Sequence, residues 1–165
     1  MSQLSNFEDL LAAEVQDLYS AEKQFAAALP KVAKAASNTK LRQALEKHAD
    51  VTEKQVERLE RIAKELGVKL NGKKCIGAEA LIKEGEELIR EGGDAEVLDA
   101  GIIGAAHRME HYEIAGYGTF AALAKKVGNK KAAELAAKTL EEERDADEKL
   151  TQIAEKTVNK AAAQA

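Results

Sequence analysis

Four glutamates, Glu22, Glu110, Glu113 and Glu143, interrupt apolar residues that recur at the three-and-four spacing of amphipathic helices. Their neighbours on those stripes are leucine, isoleucine, valine, phenylalanine, alanine and tyrosine, so folding carries the acids toward an interior. An ionised carboxylate taken there from water costs many kcal/mol unless a partner or a cation accompanies it. A bound metal is the simplest companion for several acids at once. Two further residues extend the donor set: His48 lies on a stripe of its own, and Asp147 follows Glu143 by about one turn. Carboxylate oxygens with imidazole suit iron or manganese better than a closed structural zinc site, which favours thiolate and imidazole.

The elements that must position these groups are helices. Leu11, Val15, Leu18, Glu22, Phe25 and Leu29 form one stripe, predicting a helix from about Phe7 into the mid-thirties, with Pro30 expected to kink it. Ser37 and Asn38 supply turn and capping chemistry. A second helix carries Leu41, Leu45, His48, Thr52, Gln55, Leu59, Ile62 and Leu66 and stops at Gly67. A shorter amphipathic stretch, Ala80 to Arg90, reads as a crossover helix closed by Gly92 and Gly93. The next long helix opens near Asp94, presents Ile103, Ala106, Glu110, Ile114, Tyr117, Ala121 and Ala124, and ends at Gly128. Its glycines, Gly101, Gly104, Gly116 and Gly118, each cost roughly 1 kcal/mol relative to alanine, so close approach to a neighbour is expected to compensate. A last helix from about Asn129 presents Ala132, Ala136, Thr139, Glu143, Ala146, Leu150 and Ala154.

Two long hairpins joined by a crossover make an all-α four-helix bundle. Glu22 and Glu113 precede their turns by about fifteen residues, and Thr52 and Glu143 follow theirs by about fourteen. At about 1.5 Å per residue, these positions meet at one height. A crossover that reverses the second hairpin brings Glu110 and Asp147 toward His48.

Composition narrows the function classes. The 165 residues, 45% hydrophobic and 33% charged with one proline and no tryptophan, fit a single domain over 1–165, of which about 161–165 are expected to fray. A net charge of −4 with interleaved signs gives no basic stripe for nucleic acid or anionic membrane. MSQLSNFEDLLAAEV has neither a positive start nor an uninterrupted apolar core, and no segment approaches membrane-spanning length, so a cytoplasmic location is expected. The lone Cys75 fits a reducing compartment and reads as incidental to function.

The stretches LYSAEKQ (Leu18 to Gln24), His48-x-x-x-Thr52-x-x-Gln55, MEHYEIAGYGT (Met109 to Thr119) and TLEEE (Thr139 to Glu143) resemble the YciE/YciF-like family of bacterial stress proteins over nearly the whole chain. That resemblance implies a ferritin-like fold, similar to rubrerythrin and other di-iron carboxylate proteins, and a cytoplasmic homodimer associated with general stress. It implies that Glu22 matches the first-helix ligand, Glu110 and Glu113 a Glu-x-x-Glu pair, and Glu143 the fourth-helix bridging glutamate. Thr52-x-x-Gln55 stands where Glu-x-x-His is expected, and Ala146 replaces a histidine. The implied cofactor is iron, one or two ions, or manganese, held by Glu22, His48, Glu110, Glu113, Glu143 and Asp147. If the protein is an enzyme, the implied chemistry is di-metal oxidation–reduction with peroxide or oxygen.

Other readings compete. Any one acid alone reads as a surface residue paired with Lys23, Arg108 or Arg144, and Glu141, Glu142 and Glu148 as part of a solvated charge run. Tyr19, Tyr112 and Tyr117 read as core or interface aromatics. His107-Arg108-Met109-Glu110-His111 formally matches a zinc-peptidase pattern, although His111 falls off the apolar stripe that Glu110 centres. A metal-free dimeric helical bundle with a proton-sharing polar core is the alternative from another functional class.

Overall fold

The computed structural model describes residues 4–72 and 74–165; residues 1–3 and 73 lie outside the described set. Five principal helices run in the expected order: α1 (Phe7–Ala35), α2 (Thr39–Leu66), α3 (Ile76–Glu91), α4 (Ala95–Lys126) and α5 (Lys130–Ile153). A π turn, Ala154–Val158, carries α5 into a short α6 (Asn159–Ala162). There is no strand among the described residues, and no helix there is long and apolar enough to cross a membrane.

Capping chemistry sets the helix ends. The side chains of Asn6, Asn38, Asp94 and Asn129 each accept a backbone N–H in the first turn that follows, satisfying donors that have no partner inside the helix. Gly67 and Gly128 adopt positive φ, 67° and 80°, which lets the chain turn back on the last carbonyls of α2 and α4. Pro30 sits exposed within α1 without ending it. The crossover helix begins four residues before the expected Ala80. Buried Cys75 is its N-cap: the sulfur lies 3.5 Å from the Ala78 N–H and 2.9 Å from the Tyr112 hydroxyl. Cysteine is not a usual cap, so that start carries no capping signature.

Hairpins α1–α2 and α4–α5 pack together, α1 on α4 and α2 on α5, while α3 lies against α1 and α4. Gly101 and Gly116 are where the backbone comes close. A Cβ there would fall 2.9 Å from Leu88 and 2.7 Å from Leu18, whereas Gly104 and Gly118 have no such neighbour. The expected compensation therefore holds at two of the four positions.

The apolar core has two halves. One gathers Phe25, Leu29, Leu45, Ile102, Ala106, Met109 and Leu150; the other gathers Leu11, Val15, Leu18, Leu59, Ile62, Tyr117 and Phe120. Along each long helix the chemically active residues fall between the two halves. The turn that sets the register of α1 against α2 is tied down by buried Asp99 of α4, whose carboxylate accepts from Ser37 N (2.8 Å), Ser37 Oγ (2.6 Å) and Asn38 N (2.7 Å). Asp99→Ala strands those donors and should lower stability by roughly 2–4 kcal/mol in urea unfolding; a loss under about 1 kcal/mol contradicts this anchoring role.

Candidate metal centre

Each long helix contributes to the layer between the core halves. Glu22 comes from α1; His48, Thr52 and Gln55 from α2; Glu110 and Glu113 from α4; Glu143 from α5. The four glutamates are 0–1% exposed, and among the described residues none pairs with a lysine or arginine. The surface-acid reading, with Lys23, Arg108 or Arg144 as partners, has no support here.

One ligand atom from each of His48, Glu110, Glu113 and Glu143 lies within 4.8 Å of the others. That spread is close to the separation of opposite ligands around an ion with bonds of about 2.1 Å. His48 Nε2 is 3.2 Å from Glu110 Oε1 and 3.5 Å from Glu143 Oε2. Glu22 Oε2, Glu110 Oε2, Glu113 Oε1, Glu143 Oε2 and Gln55 Oε1 are buried without a donor. Buried polar atoms normally have partners, and a cation suits five oxygens that face no N–H. Three carboxylates and one neutral imidazole fit iron or manganese by donor chemistry.

Two other oxygens of the layer are closed by hydrogen bonds. Tyr117 donates its hydroxyl to Glu22 Oε1 at 2.5 Å, and Gln55 donates its amide to Glu143 Oε1. Gln55 also reaches Glu142 Oε2 at 3.2 Å. Arg58, nine-tenths buried, donates to Thr139 Oγ1 at 2.6 Å and grips both Glu142 oxygens at 2.7 and 2.9 Å. Glu142 therefore belongs to the rim of the centre, not to the free charge run in which its sequence context placed it. Arg58 and Tyr117 were legible in principle. Arg58 follows Gln55 by three residues and Tyr117 follows Glu113 by four, so each lies on its helix's inward stripe. Thr52 turns its hydroxyl back to the His48 carbonyl at 3.0 Å and adds no donor to the acids.

Asp147 stands apart from this set. It meets His107 Nδ1 at 2.6 Å and His111 Nε2 at 3.0 Å. On α5 the position three after Glu143 is Ala146, which lines a cavity shared with α2, while Asp147 turns to the α4 side. The peptidase pattern is divided in the same way. Glu110 points inward to His48, and the two histidines point to Asp147. The cavity, about 470 Å³, is lined by Leu45, Val51 and Leu150 with Lys47, Lys54 and Lys149, and it reaches His48 and Glu110.

Electrostatics follow from the burial. Desolvation first, and then the Glu143 carboxylate, push Glu22 up to about 8, against the opposing Tyr117 hydrogen bond. Glu110 and Glu113 are driven well above the ordinary carboxylate range, chiefly by burial, with neighbouring acids adding to it. Without a cation, protonation of the raised acids would let Glu110 donate to Glu143 and Glu113 to Glu22. Burial lowers His48 despite Glu143 and Glu142, so its close contacts with Glu110 and Glu143 are those of a neutral imidazole and not of an ion pair.

An acidic layer at mid-height in two packed helical hairpins defines a ferritin-like bundle. The chain matches the family described as Domain of unknown function (DUF892) over residues 6–163 and belongs to it. It is 46% identical over 160 residues to Protein YciF of Escherichia coli (strain K12), covering 96% of each. The crystal structure of the E. coli stress protein YciF is similar at a TM-score of 0.92 and 45% identity, over 95% of this chain and 99% of that one. YcfI from Rhodopseudomonas palustris is similar at 0.89 and 41%, over 92% and 97%.

The pKa shifts give a signed pH dependence for the metal-free chain. Glu22 is raised from 4.5 to about 8, so its contribution to stability is full below 4.5 and is lost as pH rises through about 8. The contribution of depressed His48 is full above its unfolded value of 6.5 and is lost on acidification. Between those two limits only the acids change. Calorimetry in chelator should therefore show Tm falling from pH 6.5 to 8.5; a Tm that rises across that interval contradicts the assignment.

Proposed function

We infer that this chain is a YciF-like stress protein whose bundle core holds one iron or manganese ion through His48, Glu110, Glu113 and Glu143, with Glu22 beside them. The observation that carries this reading is the set of buried carboxylate oxygens facing one another without donors. The hydrogen bonds of Gln55 and Tyr117 to Glu143 and Glu22 support one ion over two, because they occupy oxygens that a second ion would need. The ion would supply one-electron chemistry and positive charge. The protein's part is placement, exclusion of water from the acids, and a lysine-rimmed cavity that admits a small molecule such as peroxide or oxygen to the His48 side. Ala146 lines that cavity where the family resemblance expects a histidine, which leaves the approach open. A cytoplasmic homodimer is part of the same reading, supported by the family resemblance, and sedimentation at twice the chain mass tests the dimer.

The competing reading, a metal-free structural bundle, draws on the ability of the acid pairs to share protons. Anaerobic titration with Fe(II) or Mn(II) separates the two. The metal reading expects about one equivalent per chain and, at 100-fold excess over Kd, about 2.7 kcal/mol of added stability. Glu113→Ala combined with Glu143→Ala should abolish both. Thermal stability that ignores metal and chelator alike favours the metal-free bundle.

A further inference from the structure

Two of the three histidines lie outside the core centre and converge on one acid. His107 and His111, one turn apart on α4, direct Nδ1 and Nε2 respectively at the same atom, Asp147 Oδ1 of α5, at 2.6 and 3.0 Å. The rings lie 6.3 Å apart at 75°, and one ligand atom from each of the three residues falls within 4.8 Å of the others. His107 and Asp147 are about three-quarters buried, at 27% and 26% side-chain exposure, while His111 is 68% exposed. Among the described residues no lysine or arginine pairs with Asp147.

We propose that His107, His111 and Asp147 form a second cation site, open to solvent, for a first-row divalent ion of zinc-like preference. Two imidazole nitrogens and one carboxylate oxygen, with the remaining positions left to water, are the donors zinc takes where only three protein ligands are supplied. Imidazole suits zinc, copper, nickel and iron, whereas carboxylate oxygen suits manganese, so zinc and manganese distinguish the imidazole-rich site from the oxygen-rich core. The residues are held in place before any ion arrives. The four-residue spacing sets both rings on one helix face, and the α4–α5 hairpin brings Asp147 across from them. Zinc bonds of about 2.0–2.1 Å place neighbouring tetrahedral ligands about 3.3 Å apart. The gaps of 2.6 and 3.0 Å must therefore open by about 0.7 and 0.3 Å, and exposed His111 has room to turn. The site does not depend on the core centre being metallated.

Calorimetric titration of the full chain with zinc, compared with His111→Ala and Asp147→Asn, tests the proposal. Wild type should take up one zinc equivalent more than either variant, with circular dichroism unchanged. Mn(II) uptake should be equal in all three. In the opposite arm, Glu113→Ala should lose Mn(II) uptake and keep the zinc equivalent that depends on His111. Equal zinc stoichiometry in wild type and His111→Ala overturns the site. Loss of Mn(II) uptake in wild type speaks only against the core reading.

Discussion

Between the two apolar halves of the core, Glu110, Glu113 and Glu143 bring carboxylate oxygens within 4.8 Å of one another and of the His48 ring. At that distance two ionised acids repel by roughly 3–4 kcal/mol even at an effective dielectric near 20, and burial adds a desolvation penalty. The layer is tolerable in only two ways: protons bridge the acids, or a cation sits among them. Stability, pH response and ligand chemistry all turn on which of the two holds, because protonation removes the charge that binding needs.

The rest of the bundle keeps that layer at one height. Asparagine or aspartate caps fix where the four long helices start, and Gly67 and Gly128 fix where α2 and α4 stop. Asp99 fixes the α1–α2 turn from across the interface. The polar residues of α2 then make the layer asymmetric. Gln55 supplies amide hydrogens, and Arg58 supplies a buried positive charge locked onto Glu142. That asymmetry leaves the His48 side as the one with an open cavity, while oxygens without donors remain on Glu22 and Gln55 as well as on Glu110, Glu113 and Glu143.

Most of this was legible in the sequence because helical periodicity is a local signal. Apolar spacing located the four long helices and placed Glu22, Glu110, Glu113 and Glu143 on inward faces; counting residues from the turns put Glu22, Glu113, Glu143 and Thr52 at one height, with Glu110 one turn away toward His48. What periodicity cannot report is azimuth near the edge of a stripe and the choice among side chains across an interface. Asp147 is one turn from Glu143, yet the extra 40° of rotation over four residues delivers it to His107 and His111 instead of His48. Glu142 looks like ordinary surface charge until α2 and α5 are brought together and Arg58 grips it. The Cys75 cap was hidden because it depends on Tyr112 and Asp17, which are remote in sequence.

Anomalous diffraction from crystals soaked in Mn(II), recorded at the manganese edge, addresses the central claim most directly. A peak enclosed by His48, Glu110, Glu113 and Glu143 is the predicted result. Absence of manganese there, with the acids in direct hydrogen bonds to one another, contradicts it.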